Sequence, residues 1–511
     1  MKNPFHLIAP KSDVAGKDVA MIDVDHTYTR DELMGRAGRI LERLSQDISP
    51  GDRCIVSLKN GPDFFAGLVG CWAAGVTPVV LDPAVRSELA SAMEMTGAKA
   101  VIQSEQTSPF EKGGRGDFYF TILTDGTTAA PPRIPEVADD APVLFLFTSG
   151  STGKPTLVPK TFRQIEVEVD FIFGLFDGPL RVAGLIPWCH IWGLLSTFFV
   201  PLKHGGVCDL RGGISARGVL EHAASGELDF VAGVPVYYQA MVHLVEEGVV
   251  PPFTTSCRFG SSSAPLSLEV RNRFRALTGA GITDIFGSTE TGGIAYRRED
   301  GPWIVQPHVE TRIDEDGKLD VRSDSVSIKD DDGFFTISDV VERTEDGFVL
   351  LGRQDDVVKI GGRRIALGEI TRVIEMCPDV LRAAVITENV AGTLRLLAYV
   401  EPKTDNLTSK DIKAFVRSKL ADHKVPRTVR IVAELPLTSS GKLDRRKLKE
   451  LASVMSNTEV SGQGPTNGPN EQVPPSTKGD RGISSKKCEI QSPRPPFSQG
   501  EISSRSSKRE D

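Results

Sequence analysis

Five consecutive apolar residues, Val143-Leu144-Phe145-Leu146-Phe147, run directly into Thr148-Ser149-Gly150-Ser151-Thr152-Gly153-Lys154-Pro155. An unbroken apolar run bounded by turn-formers reads as a strand buried on both faces, which belongs to a sheet covered by helices on either side. Glycines let backbone N–H groups approach an anion, and serine and threonine add side-chain donors, so the loop is a candidate phosphate cradle. It is not a Walker loop. Only Ser151 and Thr152 separate Gly150 from Gly153, and Pro155 stands where that motif needs a hydroxyl. A plain connection has the same composition, so the loop alone leaves both readings open.

The chain before this loop alternates between the two secondary-structure periods. Thr29-Arg30-Asp31-Glu32 is a capping box, and Leu33, Ala37, Ile40, Leu41 and Leu44 follow at helical spacing. Strands are expected at 54–58, 76–81 and 99–102, with helices over 64–74 and 87–96, the first of these stopped by Gly75. Such alternation indicates a parallel sheet flanked by helices. Residues 108–117, with Pro109 and several glycines, interrupt the pattern and read as a surface insertion.

At 511 residues the chain is too long for one core. The expected class is α/β: a large N-terminal domain of layered sheets and helices over 1–353, and a small α+β C-terminal domain over 354–452. In the second part a helix is expected at 367–376, strands at 381–386 and 394–400, a helix at 412–420 and a strand at 429–432. From 453 to 511, Ser, Pro, Gly and Lys dominate without apolar periodicity, as in a disordered tail. Net charge is −8, and no long basic block precedes the tail, which argues against a nucleic-acid partner. Seven cysteines occur without a Cys-x-x-Cys pair, which argues against a disulfide framework and a zinc site. No apolar run reaches the roughly 18 residues of a membrane span, and the N-terminus lacks a signal-peptide core. A cytoplasmic protein is expected.

Further along lie motifs that are weak one by one. Pro187-Trp188-Cys189-His190-Ile191-Trp192 sets a histidine among aromatics, where a core histidine is the ordinary alternative. Gly260-Ser261-Ser262-Ser263-Ala264-Pro265 is a small-residue turn on which a flat ring could lie, or only a turn. Phe286-Gly287-Ser288-Thr289-Glu290-Thr291-Gly292-Gly293 joins a hydroxyl and a carboxylate to flexible backbone; Glu290 offers the oxygen a hard cation such as Mg²⁺ prefers, beside a Thr289 able to bond a phosphate. Asp339 is a lone carboxylate suited to ribose hydroxyls. Arg353, Asp355 and Arg364 cluster where the two domains join, and Lys442 follows Thr438-Ser439-Ser440-Gly441 on a polar loop.

Taken in order, these segments resemble the signatures of the adenylate-forming superfamily, which contains acyl- and aryl-CoA synthetases, over about residues 20–450. The resemblance implies an ATP-dependent ligase that joins a carboxylic acid to a thiol through an acyl-adenylate, with a C-terminal lid that rotates between half-reactions. Carried over by position, Thr148, Ser149, Gly150, Ser151, Thr152, Gly153 and Lys154 would hold the β- and γ-phosphates. Ser263, Ala264, Pro265, Ile285 and Phe286 would flank adenine, Thr289 would meet the α-phosphate, and Glu290 would hold Mg²⁺. Asp339 and Arg353 would bind ribose, Asp355 would be the hinge, Lys442 the catalytic lysine, and Arg364 part of the lid segment facing the thiol. His190 would gate an acyl pocket lined by Trp188, Val234, Ser261 and Gly292.

Amino-acid-activating relatives carry an aspartate in the motif that here reads Trp188-Cys189-His190, so the implied substrate is a fatty or aryl acid without an α-amine. The acceptor would be CoA or the phosphopantetheine of an acyl carrier protein, as in aryl-polyene-type loading ligases. Two departures stand out: Pro155 is followed by Thr156 and Leu157 where relatives have Lys-Gly, and Phe162 replaces a frequent histidine. Lys160 is the candidate substitute for the missing cation. A non-catalytic binder of the same fold is the rival reading.

Overall fold

In the computed structural model, residues 1–9, 18–84, 89–104, 120–124, 127–148, 156–264, 266–299, 301–354, 357–390, 393–404, 406–436 and 447–448 are described. Of the site residues named above, 149–154, Pro265, Asp355 and Lys442 lie outside them, as do the insertion at 108–117 and the tail.

Two sheets dominate. One has six strands in the order Phe120–Thr124, Ala100–Ser104, Arg53–Val56, Thr77–Val80, Pro142–Thr148, Thr156–Thr161. All neighbours pair in parallel except the last two, which are antiparallel. The other has nine strands, whose parallel centre runs Val19–Ile22, Val207–Asp209, Arg181–Gly184, Phe230–Gly233, Arg258–Ser261, Ile282–Ser288. The apolar run at 143–147 is thus an inner strand of the first sheet, as its composition requires.

The helices form where local chemistry starts and stops them. Thr29 caps Arg30–Asp47 with the full reciprocal box: Glu32 N–H donates to Thr29 Oγ1 at 3.3 Å, and Thr29 N–H donates to the Glu32 carboxylate at 2.8 Å. Pro62–Ala73 begins on proline and ends before Gly75, whose φ of +69° is the left-handed turn that glycine adopts without strain. These two helices pack closely at Gly70, where a Cβ would lie 2.6 Å from the Ile40 side chain. On another face of the first helix, a Cβ on Gly38 would lie 2.1 Å from the carbonyl oxygen of Ala130 in the segment before the strand Pro142–Thr148.

One apolar cluster joins both sheets, from Cys54, Val56 and Leu144 across Phe64, Trp188, Phe198 and Phe199 to Val182 and Phe230. Polar groups that enter it find backbone acceptors. Trp72 Nε1 donates to the Val143 carbonyl at 2.7 Å, and the buried Arg30 guanidinium donates to the carbonyls of Ile8 at 2.6 Å and Leu202 at 3.1 Å.

A four-stranded antiparallel sheet, Glu310–Ile313, Lys318–Arg322, Phe335–Thr344, Gly347–Arg353, leads to the smaller C-terminal part. There the hairpin Val357–Ile360 with Arg363–Ala366 precedes a three-stranded sheet, Val380–Val390, Thr393–Pro402, Thr428–Ile431, backed by helices Leu367–Glu375 and Ser409–Lys419. The second of these helices has Thr408 as its cap, with Asp411 completing the box. Between the antiparallel sheet and the small part lies a cleft of about 440 Å³, lined by Ile313, Arg343 and Leu351 on one side and Ala366, Glu369 and Lys424 on the other.

Gly38→Ala tests the contact of the first helix with the Ala130 segment. Alanine improves helix propensity by about 1 kcal/mol, but overpacking against a backbone carbonyl costs about 1–3 kcal/mol. The variant should therefore melt below the wild type; an unchanged or higher melting temperature would show that the Ala130 segment can move away from the helix freely.

Candidate functional site

The central strands of the nine-stranded sheet run parallel, so their carboxyl ends emerge at one edge, where open α/β sheets place their ligand crevice. Register makes this exact in the molecule: Gly184 lies beside Ala232, Ala232 beside Gly260, and Gly260 beside Thr283. Just past that row come the segments carrying His190, Val234, Ser263 and Thr289.

They meet at a cavity of about 330 Å³ lined by Phe147, Cys189, His190, Trp192, Val234, Tyr237, Ser263 and Thr289, among others. Segments widely separated in the chain thus face one space. Phe147 brings the six-stranded sheet to the same cavity, and the next residue, Thr148, lies directly opposite Thr156 in the antiparallel pair.

Each wall is held from behind. Asn60 clamps the histidine segment, its amide donating to the Ile186 carbonyl at 3.1 Å and accepting the Trp188 N–H at 2.7 Å. Trp192 Nε1 donates to the Gly233 carbonyl at 3.1 Å, tying that segment to the strand before Val234. Ser262 Oγ donates to the Ile285 carbonyl at 2.9 Å. The next residue, Ser263, has φ +72°, a conformation unusual for a side chain with a Cβ and typical of functional turns. The Thr289–Glu290 turn is closed by Ser288 and Thr291, whose backbone N–H groups each donate to the other's hydroxyl at 3.1 and 3.2 Å.

Several expected residues sit elsewhere. Trp188 turns away from the cavity into the core, where its indole packs edge-on to Phe64 and donates to Thr197 Oγ1 at 2.9 Å; the indole at the cavity wall belongs to Trp192. Ser261 is fully buried within its strand. Gly292, at φ +71°, packs against Glu168, whose carboxylate a Cβ there would meet at 2.7 Å. Ile285 points into the main core, and the Phe286 ring packs against Trp303 and Phe348 at 5.5 and 5.9 Å. Ala264 follows Ser263 on the exposed side of the turn. Asp339 lies directly opposite Arg353 across two antiparallel strands, and Arg364 lies opposite Lys359 in the hairpin that follows.

Sequence reasoning missed Asn60 and Asp82, which no local pattern marks. Asp82 comes within 4.8 Å of the Cys189 and His190 ligand atoms, forming a polar corner against a second cavity of about 690 Å³. Burial, with the Asp82 charge adding to it, pushes the Cys189 thiol up to about 12. Behind the turn, Lys160 is fully buried; desolvation pulls its ammonium down to about 8, opposed by Glu168 and Glu290. The half-buried Glu290 carboxylate forms no hydrogen bond among the described residues, and a free carboxylate oxygen of this kind fits Mg²⁺.

The model of the AMP-binding enzyme family matches residues 11–333, and that of the AMP-binding enzyme C-terminal domain matches residues 369–442. The chain belongs to the AMP-binding enzyme family. It is an AMP-forming acid–thiol ligase, with the large and small parts that such ligases have. It is 25% identical to a salicylyl-CoA synthase / salicylate adenylyltransferase of Streptomyces sp, over 86% of this chain and 92% of that protein. It is 23% identical to the 2,3-dihydroxybenzoate-AMP ligase of Bacillus subtilis (strain 168), over 88% and 93%. The fold matches that of ATP-bound MatB from Rhodopseudomonas palustris at a TM-score of 0.76 and 22% identity, covering 89% of this chain and all of the other.

The raised Cys189 pKa has a direct chemical consequence. Below about pH 12 the thiol holds its proton, so little nucleophilic thiolate exists at pH 8. Mass spectrometry after iodoacetamide treatment of the native ligase at pH 8 should find Cys189 unmodified, and modified once the chain is denatured. Rapid labelling of the native protein would contradict the buried placement.

Proposed function

We propose that this ligase activates a small, single-ring aromatic carboxylic acid with ATP and passes the acyl group to the thiol of CoA. One observation carries the reading: a cavity of about 330 Å³ is lined by three aromatic side chains, Phe147, Trp192 and Tyr237, together with His190, Ser263 and Thr289. A ring acid placed there would have its carboxylate directed at the nucleotide side. The names of the salicylate and dihydroxybenzoate relatives fit a ring acid as well. Cys189 and His190, which line this cavity with Asp82 behind them, would meet a hydroxyl or amine on the ring.

In the first half-reaction the acid's carboxylate oxygen attacks the α-phosphorus of ATP, the bond to pyrophosphate breaks, and the mixed anhydride with AMP remains. Thr289 would donate to the α-phosphate, the Ser263–Ala264 backbone would lie along adenine, and Asp339 with Arg353 would take the ribose hydroxyls. Glu290 would hold Mg²⁺, which when bound offsets phosphate charge. Residues 148–154 would hold the leaving phosphates through backbone donors, and the Lys442 ammonium would offset charge between carboxylate and phosphate. In the second half-reaction the thiol adds to the acyl carbon and AMP leaves. Rotation of the small domain about Asp355 would withdraw Lys442 and bring Arg364 to the thiol. The domain division this implies is 1–353, 354–452 and the tail 453–511. A cytoplasmic location is consistent with described cysteines that are all free thiols.

Pyrophosphate release with a panel of benzoate, hydroxybenzoates, hexanoate and palmitate, assayed with CoA and with an acyl carrier protein, tests the substrate class. Ring acids should exceed palmitate in kcat/KM by at least about tenfold, the scale on which apolar pockets discriminate; a preference for palmitate would overturn the pocket assignment. His190→Ala should raise KM for the acid while leaving KM for ATP unchanged. Lys442→Ala should lower adenylate formation by about 10²–10³-fold and spare thioester formation from added acyl-adenylate. Equal loss in both half-reactions would remove Lys442 from its assigned role.

A further inference from the structure

Lys160 has no place in the mechanism above, yet it is an ammonium almost fully removed from water in Thr156–Thr161, the edge strand of the six-stranded sheet. Burying a charge is costly unless partners compensate it, and here one hydrogen bond and two nearby carboxylate charges do so. Its Nζ donates to the Ser325 carbonyl at 3.3 Å. Glu168, from the helix Phe162–Leu175, is equally buried, and the charges of Glu168 and Glu290 both act on the lysine.

Two routes lead from this lysine to the Thr289–Glu290 turn, the first through the charge of Glu168, which acts on the lysine without a hydrogen bond, and the second through the hydrogen bond to Ser325. Along the first, Glu168 accepts the Gly293 N–H at 2.8 Å, just past the turn, while its other oxygen lies 3.5 Å from His308 Nε2. The fit is tight: a Cβ on Gly293 would meet the Gln306 amide at 2.3 Å. Along the second, Ser325 belongs to a segment whose Val326 carbonyl accepts from Gln164 Nε2 at 3.0 Å. Its Ser327 N–H donates to the Glu290 carbonyl at 2.8 Å. One route therefore fixes the backbone after the turn and the other fixes Glu290 itself.

We propose that Lys160 is a positioning residue for ATP: its buried ammonium neutralises Glu168 and anchors the segment around Ser325, so that both routes hold Thr289 and Glu290 in the arrangement that receives the triphosphate. It thereby takes over, from inside the protein, the charge that Thr156 lacks on the loop. This inference rests on the nucleotide reading of the turn given under Proposed function. It adds that the reading needs a cation four positions along the strand from Thr156, behind the site instead of in it.

The test uses Lys160→Met and the double variant Lys160→Met/Glu168→Gln, in which no uncompensated buried carboxylate remains, each checked for folding by circular dichroism. Binding of a non-hydrolysable ATP analogue with Mg²⁺ is measured by calorimetry, and KM for the acid by pyrophosphate release. The double variant should fold and bind the analogue about tenfold or more weakly, as removal of supporting residues behind a metal-binding group typically does. KM for the acid should stay within about twofold, a split that general loss of structure would not give. An analogue affinity equal to wild type in either folded variant overturns the role of Lys160. Absence of analogue binding by the wild type would overturn the nucleotide reading instead, so the two failures are distinguishable.

Discussion

The molecule depends on the parallel ladder of its larger sheet. Because Arg181–Gly184, Phe230–Gly233, Arg258–Ser261 and Ile282–Ser288 run the same way, their carboxyl ends open at one edge, and every connecting segment must begin there. The ladder tolerates little side-chain bulk where it is covered. A Cβ on Gly184 would meet Thr197 at 2.7 Å, and one on Gly260 would sit 3.0 Å from Phe176 and Phe230. Small residues in that row let the aromatic core close over the sheet while the strand ends stay free to carry chemistry.

The cavity follows from how those ends are tied down. Asn60 reaches from the smaller sheet to hold the segment before His190, Trp192 reaches back to Gly233, and Ser262 bonds to Ile285. Each bond crosses between elements, so the cavity is held by groups outside it. The left-handed Ser263 belongs to the same design: strain of about 1–3 kcal/mol is retained where the surrounding bonds determine the backbone. Behind the Glu290 turn, the buried Lys160 and Glu168 extend this support into the protein's interior.

Motif residues differ in what their local context can say about them. His190, Val234, Ser263 and Thr289 were legible as candidates because each follows a strand in a short run of small, hydroxylic or aromatic residues, and the structure brings them to one space. Trp188 and Trp192 carry the same residue type within one motif, and nothing local distinguishes the indole that enters the core from the one that lines the cavity. Asn60, Asp82 and Glu168 left no signature, since a single polar residue reads the same whether it is solvated or clamps a distant segment.

The chain's own order of residues determined the elements. Capping boxes at Thr29 and Thr408, glycine at 75, and the apolar run at 143–147 act over a few positions through backbone hydrogen bonds and steric limits, so strands and helices fall close to where those signals place them. Tertiary structure alone decided which strands became neighbours, which tryptophan faced the cavity, and that an aspartate at 82 would stand beside a histidine at 190. The physical reason is range. Caps and periodicity are satisfied within a turn or two, whereas burial and charge compensation are settled between residues that meet only once the sheets have closed on a shared core.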